Sequence, residues 1–158
     1  MRANGFVSAS GTPLCGGCRG VGRCRLGVGE LQLDGEVTQA PVRCNSVYHA
    51  GPGVAHGGWT AAVFDDVMGR SLIQRGTATV TASLKVDYLK PVPVDEPLVI
   101  EVRVEAQAGR RWELSSTIRL AADDAPLARA EGLWLERRKG HFERHEEAMS
   151  AYREGKPG

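Results

Sequence analysis

The chain has no long apolar run. Nothing in its 158 residues approaches the roughly 18 consecutive apolar residues that a spanning helix needs, so no membrane partner is expected. It also has almost no net charge: 20 Lys and Arg stand against 19 Asp and Glu, leaving +1 at pH 7. Bulk electrostatics therefore leave no footprint for a nucleic acid or an anionic surface. The opening residues, Met1-Arg2-Ala3-Asn4-Gly5-Phe6-Val7-Ser8, lack the apolar stretch of a secretory leader. A cytoplasmic protein with reduced thiols is the expectation. Neither a P-loop nor a dinucleotide-binding fingerprint is present. What remains is an ordinary globular composition, 42% hydrophobic and 25% charged, at a length that suits one domain with a real core. Glycine is plentiful, 20 residues, and concentrated before position 60.

Three segments are expected: an irregular Cys- and Gly-rich stretch at 1–27, a folded domain at 28–137, and a helix with a tail at 138–158. Leu31-Gln32-Leu33 and residues 36–42 read as two short strands around the turn Asp34-Gly35. Residues 44–55 are punctuated by Gly and Pro and read as loop. From Trp59 to about Ile73 the residues predict a helix with almost no polar face, hence one buried nearly all round. Long strands follow at 78–89, 98–105, 112–120 and 127–136; in the second, Leu98, Ile100, Val102 and Val104 share a face. Their short connections imply antiparallel neighbours. The tail places Phe142, His145, Met149 and Tyr152 at helical spacing, a pattern that suits docking on the surface or on a second subunit. The fold class is α+β: a long antiparallel sheet wrapped around one central helix. Its open edge and leftover apolar surface invite a second copy.

The richest stretch is Gly51-Pro52-Gly53-Val54-Ala55-His56-Gly57-Gly58-Trp59, which runs straight into Thr60-Ala61-Ala62-Val63-Phe64-Asp65-Asp66. It combines a glycine turn, backbone N–H donors at a helix start and a carboxylate. Asp66 has Arg70 four residues on, an ordinary helix ion pair. Asp65 has only Ala61, Ala62, Met68 and Gly69 at helical spacing, so a buried Asp65 without a local cation is expected, with its pKa drawn upward.

With His56-Gly57-Gly58, Asp65, and Thr81-Ala82-Ser83-Leu84-Lys85-Val86-Asp87-Tyr88-Leu89-Lys90-Pro91, the chain resembles the hotdog-fold acyl-CoA thioesterases. The nearest subgroup is the phenylacetate-pathway type of the 4-hydroxybenzoyl-CoA thioesterase superfamily. The resemblance covers about residues 28–137. It implies a dimer or tetramer with sites at the subunit interface, and hydrolysis of a CoA thioester without metal or cofactor. It also implies that the motif carboxylate, nine residues after His56, is Asp65, acting as general base for water or as nucleophile. Gly57 N–H, unpaired at a helix N-terminus, is the candidate oxyanion donor. Gly58 serves close backbone approach, and His56 orients the loop or assists. Thr81 stands where the family carries a Ser or Thr that holds water or the carboxylate, expected from the partner subunit, with Ser83 as the alternative in a shifted register. One departure is visible. Where many members have Asn or Gln six residues before the motif histidine, this chain has Ala50, flanked by His49. Either His49 supplies the polar contact or none is made.

Lys90, Arg110, Arg111 and the run Arg137-Arg138-Lys139 are candidate contacts for CoA phosphates, or plain surface charge. Cys15-Gly16-Gly17-Cys18, with Cys24 and either Cys44 or His49, has the residue types for tetrahedral zinc; without a second C-x-x-C, reduced thiols are the simpler expectation. The rival to catalysis is a non-catalytic hotdog acyl-CoA-binding or scaffold protein that uses the Cys-rich start. A hotdog hydratase is a weaker rival, because its usual motif context is missing.

Overall fold

The computed structural model describes residues 13–155. The first twelve residues of the expected 1–27 segment and the last three of the tail lie outside the described residues. The main sheet has six antiparallel strands in the order β1-β2-β6-β7-β8-β5. These are β1 (Gln32–Asp34), β2 (Val37–Val42), β5 (Thr79–Tyr88), β6 (Leu98–Ala108), β7 (Arg111–Leu120) and β8 (Pro126–Glu136). A separate hairpin pairs β3 (His49–Gly51) with β4 (Val54–Ala55). Helix α1 (Gly57–Gln74) packs on the sheet, and α2 (His141–Arg153) follows β8.

The long strands form where period-2 alternation gives each one a wet and a dry face. Leu98, Ile100 and Val102 are buried as that alternation requires. Across the core they meet Val63, Phe64, Val67, Met68 and Leu72 of α1, all without measurable exposure. Each such side chain is worth roughly 1.5–3 kcal/mol when buried. Trp59, Phe64 and Met68 are therefore core residues.

Three details depart from the sequence reading. The β1–β2 turn is Gly35-Glu36, since Asp34 pairs with Val37; Gly35 supplies the positive φ of 56°. The stretch read as loop holds the β3–β4 hairpin, closed by Pro52-Gly53 with Gly53 at φ 73°. Helix α2 buries no residue, so its expected docking is not seen on its own chain; Arg137 sits over the Phe142 ring instead, 4.8 Å from the centroid.

β5 is an outer strand of the main sheet, and its ladder with β8 is irregular between Thr81 and Ser83. The bulge at Ala82 switches the phase of the strand. Thr81 faces α1 on one side of it; on the other, Leu84 and Val86 pack against the core. A regular strand would put Thr81 and Leu84 on opposite faces. The bulge is what lets a polar contact to α1 and an apolar face to the core coexist on one strand.

Candidate active site

The site begins with the helix cap. The β3–β4 hairpin delivers His56 in extended conformation, and its backbone N–H donates to Tyr48 O at 2.8 Å. The His56 ring caps α1: Nδ1 accepts from Gly58 N–H at 2.9 Å. A Cβ on Gly58 would lie 3.0 Å from that nitrogen, so glycine keeps the cap close. Two proposed roles narrow as a result. Gly58 N–H is committed within the protein, and one nitrogen of His56 holds the turn. Gly57 N–H has no acceptor among the described residues and sits at the positive end of the helix dipole.

Gly57 opens onto a depression of about 340 Å³, bordered by Val54, Ala55, Thr60 and the segment Tyr88–Val92, which includes Lys90. Tyr88, 55% exposed, donates its hydroxyl to Gly57 O at 2.8 Å. It ties the end of β5 to the start of α1 and fixes the peptide next to the free N–H. Sequence reasoning missed this role. The available signal was a tyrosine in the Tyr88-Leu89-Lys90-Pro91 strand end.

Asp65 lies eight residues further along α1, about 12 Å along the axis. Thr81 Oγ1 donates to Asp65 Oδ1 at 2.6 Å. This corrects the expectation in two ways. Thr81 reaches Asp65 of its own chain, not that of a partner, and Asp65 is exposed rather than buried. The burial expected at Asp65 falls on its neighbour. Asp66 is largely buried, and burial pushes its carboxyl above the usual range against the opposing charge and hydrogen bonds of Arg70. Arg70 Nε and Nη2 donate to Asp66 Oδ2 at 2.9 and 2.5 Å, the ion pair expected from the i,i+4 spacing.

The remaining expected contacts are scattered. Ser83 lies beyond the bulge and lines a broad depression with Lys85, Arg111, Glu113 and Glu131, away from Asp65. His49 is exposed, its Nδ1 2.5 Å from Ser46 O. Arg110 donates to Glu136 O at 3.1 and 2.5 Å. That places it at the Thr79 end of β5, about 30 Å along the strand from Tyr88 and Gly57. One chain does not bring Arg110 to the Gly57 depression. Cys44 is fully buried with its thiol near Asn45 O at 3.6 Å, its pKa pushed up to about 11 by burial and Asp95. Among the described residues, no three His, Cys, Asp or Glu side chains are placed to hold a metal ion.

Residues 52–125 match the family model of the thioesterase superfamily, a span that contains the cap, Gly57, Asp65 and Thr81. They are similar to that superfamily over 74 of the chain's 158 residues. Its fold here is the hotdog fold, and solved structures agree. A Streptococcus mutans protein bound to acetyl CoA superposes with TM-score 0.66 at 18% identity, over 73% of this chain and 92% of that one. The Escherichia coli PaaI protein of the phenylacetic acid degradation operon gives 0.63 at 16%, over 69% and 79%. Among curated proteins, the acyl-coenzyme A thioesterase THEM4 of Xenopus laevis is 36% identical over 76 residues, 48% of this chain and 34% of its own length. The chain spans about a third of the length of the THEM4 relatives it matches. No helix among the described residues is long and apolar enough to cross a membrane.

Proposed function

We propose that the protein is an acyl-CoA thioesterase, which hydrolyses a CoA thioester to a carboxylate and free CoA. The observation that carries this is the pairing of Asp65 with Thr81 at 2.6 Å on the same helix as a backbone N–H, at Gly57, with no protein acceptor. As general base, Asp65 takes a proton from water while the water oxygen bonds to the thioester carbon. Gly57 N–H receives the charge that develops on the carbonyl oxygen, a contact worth roughly 3–4 kcal/mol in a dry site. The tetrahedral intermediate collapses with loss of the CoA thiolate. As nucleophile, Asp65 would bond to the same carbon and expel the CoA thiolate, and water would then cleave the resulting anhydride to free the carboxylate product and regenerate Asp65. In both routes Thr81 holds the carboxylate in place.

About 12 Å of helix separates the two groups, so one carbonyl cannot touch both in a single chain. The working site takes Gly57 from one copy and the Asp65–Thr81 pair from another. The outer position of β5 beside that pair supports a dimer, or a tetramer built on it. The relatives add support. THEM4 and THEM5 carry the name acyl-coenzyme A thioesterase, and two of the fold neighbours hold acetyl CoA or coenzyme A. A Streptococcus pneumoniae hypothetical thioesterase has been crystallised with an Asp and a Thr each replaced by Ala, sixteen residues apart. The same separation divides Asp65 from Thr81.

The test is thiol release from a panel of acyl- and aryl-CoAs. Turnover by the wild type and its loss in Asp65→Asn are expected. Absence of turnover on every substrate, or full activity in Asp65→Asn, would sink the proposal. Tight CoA binding without turnover would instead favour the non-catalytic reading, which the missing polar group at Ala50 motivates.

A further inference from the structure

The stretch from Cys24 to Gly27 is fastened to the body at three successive residues. Tyr48 Oη donates to Arg25 O at 3.4 Å, Trp59 Nε1 to Leu26 O at 3.1 Å, and Arg43 N–H to Gly27 O at 3.1 Å. The last contact admits only glycine. Gly27 has φ 82°, and a Cβ there would meet Arg43 O at 2.0 Å. These clips hold Arg25 beside Arg43 and bring Arg23 to the same rim. Together they line a depression of about 520 Å³ with Val21, Val47 and Tyr48.

The lining has the chemistry of a phosphorylated nucleotide. Guanidinium groups bind phosphate through two parallel N–H bonds. Among the described residues, neither Arg23 nor Arg25 forms an ion pair. Arg43 Nη1 donates to the backbone oxygen of Asp95, whose residue also borders the depression and is its one acidic member. Val47 is 77% exposed and Val21 44%, which leaves an apolar rim beside the Tyr48 ring for a base to lie on.

The position fits as well. Tyr48 O accepts the His56 N–H, and His56 caps the helix that opens at Gly57. Trp59, which grips Leu26, is two residues past Gly57. The basic depression and the Gly57 depression therefore flank one hydrogen-bonded strip. The other basic candidates are placed less well: Arg110 is tied to Glu136 O, and Arg137 lies over Phe142.

We infer that the depression formed by Arg23, Arg25, Arg43 and Tyr48 is the subsite for the phosphorylated nucleotide end of the CoA thioester. This rests on the substrate class proposed above. The Cys-rich segment then contributes directly to substrate recognition, by presenting two arginines to the cap of α1.

The experiment compares wild type with the double variant Arg23→Gln/Arg25→Gln. Both positions are exposed, and a melting curve checks that the fold is kept. Two substrates are used: an acyl-CoA, and the same acyl group on pantetheine, which lacks the nucleotide. Binding of CoA itself is measured by calorimetry. The double variant should raise KM for the acyl-CoA and Kd for CoA about tenfold or more, with kcat and the pantetheine KM unchanged. Equal KM shifts for both substrates, or no shift in KM and Kd, would overturn the subsite. If neither thioester turns over, the catalytic reading fails, and the CoA Kd still decides. Weaker binding by the double variant supports the subsite; equal binding, or none by wild type, refutes it.

Discussion

Helix α1 has two polar faces that differ in what covers them. On one, Asp66 and Arg70 lie under the segment that begins at Pro13: Arg70 Nη1 donates to Pro13 O at 3.0 Å, and the Cys24 thiol lies 3.9 Å from Asp66 Oδ2. On the other, Asp65 stands exposed with Thr81 as its partner. Adjacent carboxylates, about 100° apart around the helix, thus have opposite fates. The covered one is structural, since a buried charge must be paired to be tolerated. Among the described residues the open one has an oxygen without a hydrogen-bond partner, and it is exposed, which a base or nucleophile needs. Burial and perturbed titration alone would have singled out the wrong aspartate.

The largest effect that would separate the two faces is on turnover. Asp65→Asn should lower kcat by about 10²- to 10⁴-fold while the melting temperature stays close to wild type, because an exposed side chain is removed. Next comes stability on the covered face. Arg70→Ala leaves Asp66 buried and unpaired and should cost about 3–5 kcal/mol in denaturant unfolding. A loss below about 1 kcal/mol would mean that the pair is solvated after all. Thr81→Ala should fall between these regions: about a tenfold loss of kcat with little change in stability, as one charge-assisted hydrogen bond is removed.

The chain reveals some of this and hides the rest for physical reasons. Alternation exposes β6–β8, and the apolar run exposes α1, because burial on one face or all round leaves a period in the residues. The Asp66–Arg70 pair is legible from i,i+4 spacing. Three things are not. The bulge at Ala82 is one extra residue that resets the face of β5 without a compositional mark. The exposure of Asp65 depends on where β5 ends up, not on its helical neighbours. The clips at Arg25, Leu26 and Gly27 use backbone carbonyls, which every residue carries. Reading Thr81 as a partner's residue followed from the resemblance; its placement against Asp65 in the same chain follows from the bulge.

The smallest effect concerns pH. Burial raises Asp66 above its ordinary value in the folded state, so the folded state binds the proton more tightly than the unfolded one. Its contribution to stability is present at low pH and is lost as pH rises through the folded pKa. Asp66→Asn should flatten that slope in melts across the acid range.

The most direct test of a site split between copies is complementation. Gly57→Pro removes the proposed oxyanion donor at the first helical position, where proline is tolerated. Asp65→Asn removes the carboxylate, so each variant alone should be inactive. Mixed and allowed to exchange subunits as dimers, they should recover about a quarter of wild-type activity, because half the assemblies carry one intact site of two. No recovery, with exchange verified by mass, would contradict a site that joins Gly57 of one copy to Asp65 of another.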